Sequence, residues 1–175
     1  AKTEAEKAIA HPFGVMITNA DIAKVIIPNY IDPLLTISSA WGDIRMSADM
    51  ESIMGGYSDP RLATYFKESV DFPGQYRGVR TGINMIAKSD RTGMSELGSI
   101  VGSNEKVLMT TAEVYFLRAE GALRGWNMGG TAQALYEAGI TTSFAQHGAS
   151  GASSYIDKKI KTASNFVDAK DAANN

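Results

Sequence analysis

Three observations predict a mainly α fold, a helical hairpin packed with long irregular loops. The last third of the chain carries capped segments with helical apolar spacing, joined by short glycine-containing connections. The stretch from Ser69 to Glu105 holds six glycines and few periodic apolar residues. The bulk is that of an ordinary globular protein: 175 residues, 44% hydrophobic and 21% charged, a length that buries roughly 70% of its extended surface.

Composition narrows the function classes. A net charge of −2 argues against the basic face of a nucleic-acid binder. No run of 18 apolar residues is present, as a membrane-spanning helix requires. With no cysteine there is no disulfide, thiolate ligand or cysteine nucleophile. The chain begins Ala1-Lys2-Thr3, with neither Met nor a signal peptide, which reads as a processed chain or one cut from something longer.

The elements follow in order. "KTEAEKAIA", residues 2 to 10, is a short helix with Ala5, Ala8 and Ile9 on one side, ended at His11-Pro12 because the residue before proline avoids the helical region. From Phe13 to Trp41, short apolar runs broken by Pro28 and Pro33 predict loops with one or two short strands or helical turns. "MSADMESIMGG" predicts a helix capped by Ser47 and stopped at Gly55-Gly56. In "SDPRLATYF", Asp59 suits the N-cap and Pro60 the first helical position. Residues 69 to 105 form a long irregular segment, a kind usually functional or mobile inside a compact domain.

Thr110 or Thr111 caps a helix to Arg124, with Gly125 past its end; Thr131 caps another to about Gln146, with Gly148 beyond. Ser153 or Ser154 caps a third, whose stripe is Ile156, Ile160, Ala163 and Val167, with Lys158, Lys159 and Lys161 off it. In "YFLRAEGALRGW" the centre, Ala119-Glu120-Gly121-Ala122, is thin. Ala112, Phe116, Ala119 and Leu123 share one apolar face, and Val114, Leu117 and Gly121 a second. A helix apolar on two sides has neighbours on both. The next helix keeps Gly139 on a face with Leu135 and Tyr136, at about 1 kcal/mol relative to Ala. The spacing predicts an antiparallel pair in close approach at Ala119 and Gly139, with Tyr115, Phe116 and Tyr136 in the core.

This small-residue pattern resembles the tetratricopeptide unit. "LMTTAEVYFLRAEGALRGW…AQALYEAGITTSF", "WGDIRMSADMESIMGGYSDPRLATYF" and "GQYRGVRTGI" together resemble the SusD/RagB family, in the family's order. The resemblance covers most of residues 1 to 145. It implies a SusD-like fold, present in part, and a surface lipoprotein of Bacteroidota that captures nutrients, mostly glycans, beside a SusC-like TonB-dependent outer-membrane transporter. Family members are considerably longer, so the chain reads as an internal fragment, without the signal peptide, the lipidated cysteine or the C-terminal part. A membrane contact would come only through a lipid anchor outside these residues. The expected organisation is a loop-rich, ligand-side segment 1–106, the hairpin 107–148 and a further amphipathic helix 149–175.

No enzyme signature occurs: no nucleophile elbow, P-loop or dinucleotide fingerprint. Asp43, Asp49, Glu51 and Asp59 read as solvated surface rather than a glycosidase pair. His11 and His147 lack ligand spacing, and no metal or cofactor is expected. Sugar binding needs aromatic faces and planar polar groups. Trp41, Tyr57, Tyr76 and Trp126 lie in or beside loops. Trp41 with Asp43, and Tyr76 with Arg77 and Arg80, are the candidate ligand-binding residues, because no periodic stripe claims them. Two functions stand: a non-enzymatic glycan-binding component of an uptake system, or a helical-repeat adaptor that binds protein segments.

Overall fold

The computed structural model describes residues 1–84, 87–102 and 104–161, with side chains to Asp157. The described chain is mostly helical with one two-stranded sheet, and it divides into two compact units.

The first unit joins Ala1–Ile26 to Glu105–Ile156. It holds α1 (Lys2–Ile9), β1 (Ala23–Ile26), β2 (Glu105–Met109), α5 (Thr111–Leu123), α6 (Ala132–Gln146) and the start of α7 (Ala152–Lys161). The three helices numbered between these belong to the second unit. β1 and β2 pair antiparallel, with a register shift between Ala23 and Lys24, and the Lys24 ammonium meets the Glu105 carboxylate at 2.9 Å. β1 is exposed throughout.

Both hairpin helices start at the expected threonines. Thr110 Oγ1 accepts the Glu113 N–H at 3.1 Å, and Thr131 Oγ1 accepts the Ala134 N–H at 3.2 Å, each satisfying a backbone donor that the first turn leaves open. Past their ends Gly125 and Gly148 stand at φ 76° and 63°, the left-handed conformation that glycine adopts at least cost.

The thin centre of α5 is filled from the connection. Trp126 and Met128 fold back to pack with Ala119 and Leu135, and the Arg118 Nε–H donates to the Met128 carbonyl at 3.1 Å. A Cβ on Gly121 would lie 2.7 Å from Met128 Sδ and 3.2 Å from Trp126 Cε3. Small does not simply face small: a Cβ on Gly139 would lie 2.6 Å from Phe116 Cε1, so that glycine receives an aromatic ring. Phe116 and Tyr136 form a ring pair with centroids 5.7 Å apart. Their placement corrects the core assignment, since they are 37% and 42% exposed. Periodicity identified their stripe correctly, but the described residues cover these two rings only in part. Tyr115 is half-buried, its hydroxyl donating to the Ile17 carbonyl at 3.2 Å.

The second apolar side of α5 does find a neighbour. Ala5, Ala8 and Ile9 of α1 line a groove of about 350 Å³ with Val114, Leu117 and Gly121, although Leu117 remains 53% exposed. α7 begins at Ala152, before the expected serines, after Gly151 at φ 85°. Tyr155 packs at a tilt against Phe144, 5.2 Å between centroids, and Ile156 is half-buried. The side chains of Lys158, Lys159, Ile160 and Lys161, and residues Ala163 and Val167, lie outside the described residues.

The second unit is built on Ile27–Asn104. The Ile27 N–H donates to the Asn104 carbonyl at 3.0 Å, so the segment leaves and returns at one point. It contains α2 (Pro33–Leu35), a π-helical turn at Thr36–Ala40, α3 (Ala48–Gly56) and α4 (Leu62–Tyr65). Ser47 caps α3 by accepting the Met50 N–H at 3.2 Å. α3 runs through both glycines rather than stopping at them, and the positive φ falls on Ser58, at 50°. α4 also starts later than its proline signal suggested. Asp59 instead closes a tight turn, accepting the Arg61 N–H at 3.0 Å and pairing with the Arg61 guanidinium at 2.5 Å. Met46, Met54 and Phe66 form the core here, with Met50, Leu62, Tyr65, Tyr76 and Leu97 packed against it.

Candidate functional site

Trp41 follows the π-helical turn, whose wide spacing appears as the Trp41 N–H donating to the Thr36 carbonyl at 3.0 Å and the Asp43 N–H to the Ile37 carbonyl at 2.9 Å. Such turns cost regular helix geometry and concentrate at functional places. Gly42, at φ 67°, then reverses the chain. The indole is left 59% exposed, an apolar face of the kind that stacks on a sugar ring.

Asp43 is also exposed, and its Oδ1 meets the Lys88 ammonium at 2.6 Å. The same ammonium donates to the Trp41 carbonyl. The hydrogen bond from Lys88 holds the Asp43 carboxyl below the usual carboxylate range, with added attraction from Lys88, Arg91 and Arg45 and a smaller opposing effect of desolvation. Asp43 therefore remains an ionised acceptor through the neutral range. Arg45 is anchored behind the loop by bonds from Nε at 3.2 Å and Nη2 at 2.9 Å to the Thr92 carbonyl. Lys88 lies on a 3₁₀ turn, Lys88–Asp90, far along the chain; sequence spacing carries no signal for that pairing.

The other candidates are placed differently. Tyr76 is half-buried against the Met46–Met54–Phe66 core, so packing claims a side chain that no sequence stripe had claimed. Arg77 pairs with Glu51 at 3.1 Å and lies over the Phe72 ring at 5.3 Å. Its backbone exchanges bonds with Ser95: the Arg77 N–H donates to Ser95 Oγ and the Ser95 N–H to the Arg77 carbonyl, both at 3.0 Å. Arg80 is exposed. The Trp41 and Tyr76 loops thus flank the same segment, Thr92–Glu96, on separate attachments. Of the other aromatics, Tyr57 is 3% exposed and Trp126 belongs to the hairpin core.

Among the described residues no group of three or more histidine, cysteine, aspartate or glutamate side chains could hold a metal, and no helix is long and apolar enough to cross a membrane.

Comparison with curated proteins gives no match. Solved structures do match. A chitin-binding SusD homologue from Flavobacterium johnsoniae is 64% identical with a TM-score of 0.86, over 88% of this chain and 32% of that one. A SusD homologue from Bacteroides thetaiotaomicron is 42% identical with a TM-score of 0.78, again over 88% and 32%. One from Bacteroides vulgatus is 35% identical with a TM-score of 0.78 over the same shares. The chain thus spans about a third of the length of these relatives. Residues 1–175 match the SusD-like family described as "Susd and RagB outer membrane lipoprotein". By that match and by these relatives, the chain belongs to the SusD/RagB family.

Proposed function

We propose that the protein works as a non-enzymatic glycan-binding component of an outer-membrane uptake system and delivers its ligand to a SusC-like TonB-dependent transporter. The observation that carries this reading is the 64% identity to a chitin-binding homologue. By the same likeness, the ligand is an oligomer of N-acetylglucosamine or a close relative of it. Ligand side and scaffold would divide as loop-rich residues 1–106, hairpin 107–148 and tail 149–175. Within the loop-rich part the placement favours Trp41 and Asp43 over Tyr76: one pair is exposed, and the other aromatic is packed.

The chemistry asked of the site is modest. One indole face covers the apolar side of a sugar ring, and a carboxylate accepts its hydroxyls. Each such hydrogen bond replaces one to water, so its net worth is about 1 kcal/mol, and weak, multi-contact binding is expected. Isothermal titration with N-acetylchitohexaose, with maltohexaose as control, tests the reading. Binding of the first that weakens in Trp41→Ala supports it. Equal or absent binding of both sugars by the unsubstituted protein counts against it.

A further inference from the structure

We infer that Lys88 is the positioning residue of the Trp41–Asp43 element, holding the aromatic face and the acceptor carboxylate in one fixed arrangement; this rests on the glycan-binding reading above. Lys88 binds both ends of the element at once, through the Trp41 carbonyl and Asp43 Oδ1. Between these two attachments stands Gly42 at φ 67°, a residue whose lack of a Cβ gives the backbone wide freedom unless something outside it fixes the turn. The side chains of Arg45 and Lys88 stand against it: a Cβ on Gly42 would lie in ordinary contact, 3.5 Å from Arg45 Nη2 and 3.8 Å from Lys88 Cε. On the N-terminal side the π-helical turn bonds Trp41 and Asp43 back to Thr36 and Ile37. The loop is thus held by backbone hydrogen bonding behind it and, among the described residues, by the Lys88 ammonium in front.

That arrangement is what a stacking site needs. A mobile indole loses freedom when a sugar ring docks, and the loss comes out of the affinity; an indole fixed in advance avoids it. An ammonium has three N–H donors, and the clamp engages two of them. The third remains to meet a ring hydroxyl or an acetamido carbonyl beside Trp41, and the Asp43 carboxylate has acceptor sites beyond the one that Lys88 occupies. The ligand class is therefore a neutral pyranoside with a hydroxyl or acetamido group next to its stacking face.

The test uses fluorine NMR of the protein labelled with 5-fluorotryptophan. The chain has two tryptophans, so Trp126 in the hairpin serves as an internal control and Trp41→Phe assigns the signals. Lys88→Met keeps the aliphatic stem and removes the donors. The expected result is a shifted and sharpened Trp41 signal, an unmoved Trp126 signal and an unchanged melting temperature. N-acetylchitohexaose affinity should fall about tenfold, the order of one charge-assisted hydrogen bond, with most of it restored in Lys88→Arg. An unmoved Trp41 signal in Lys88→Met overturns the inference, as does a moved signal with unchanged affinity. If the signal moves while the unsubstituted protein binds no chito-oligosaccharide, the clamp stands and the glycan reading falls.

Discussion

α5 and α6 satisfy their backbones from within, and each begins on a threonine hydroxyl that accepts an N–H three residues on. The region between Ile27 and Asn104 satisfies its backbone by reaching across itself. Met46 donates to the Ser95 carbonyl at 2.8 Å, Val79 to Met46 at 2.7 Å, Lys67 to Glu96 at 2.9 Å and Gly98 to Tyr65 at 2.8 Å. Among the described residues these crossings give isolated bridges, Ser47 with Val79 and Phe66 with Leu97. In the hairpin the information is local and repeats along the sequence. In the loop region it is held in a few crossings between distant residues.

The largest predicted effect is therefore at a loop-region crossing. A Cβ on Gly78 would lie 2.3 Å from the Ser47 carbonyl oxygen and 2.6 Å from the Ala48 nitrogen. These are backbone atoms, and a side-chain rotation cannot clear them. Gly78→Ala should cost about 3 kcal/mol, the upper end of overpacking. Hydrogen exchange should show protection lost at Met46, Val79 and Ser95 while α5 and α6 keep theirs. Uniform loss across both regions would erase the contrast drawn above.

The hairpin gives a graded second test. Ala119 is 7% exposed and packs with Met128 and Leu135, so Ala119→Phe should cost about 1–3 kcal/mol. The nearest atoms that Gly139→Ala meets are those of the Phe116 ring, which is 37% exposed and has room to swing outward. The gain of roughly 1 kcal/mol in helix propensity should offset that movement and leave the denaturation midpoint nearly unchanged. Equal costs for the two substitutions would mean that Phe116 is held more firmly than its exposure implies.

The smallest effect on stability belongs to Asp43, whose pairing with Lys88 is half exposed. Because its folded carboxyl is held low, the pairing is complete above the ordinary aspartate value of about 3.9. It is lost only as pH falls through the lower folded value. The Trp41 fluorine signal should hold steady from neutral pH down to that range and then move, with Trp126 unaffected. A Trp41 transition near neutral pH would point to a different titrating group at the loop.

What the sequence made legible follows the same division. Thr110, Thr131, Gly125 and Gly148 were readable because caps and stops are set by one residue and its nearest neighbours. The α1 stripe of Ala5, Ala8 and Ile9 was readable for the same reason, and it lines the groove beside α5. Phe116 and Tyr136 show the limit of periodicity, which reveals an apolar face but not whether anything covers it. Tyr76 shows the opposite error. Its core partners are Met46 and Met54, spaced eight apart in the α3 stretch, and Phe66 beyond α4; Tyr76 shares no period with them, so nothing nearby marks it as packed. At the candidate site Trp41 and Asp43 could be nominated from composition and loop context. Lys88 could not, because its partnership is set by tertiary structure alone.

The bond from Ile27 to Asn104 has a consequence for how such a chain can change over time. A segment that leaves and returns through one doorway is, to the β1–β2 ribbon, a loop of arbitrary length. Closing a flexible loop costs free energy that rises only with the logarithm of its length, about 0.6 kcal/mol for each doubling. Residues could be inserted at exposed turns such as Gly74 or Gly82 with little cost to the ribbon or hairpin. Deletions there would be similarly cheap, provided the crossings at Met46, Val79 and Ser95 were kept. The loop region can thus be remodelled as a cassette, its outer turns varying while the doorway and the hairpin stay fixed.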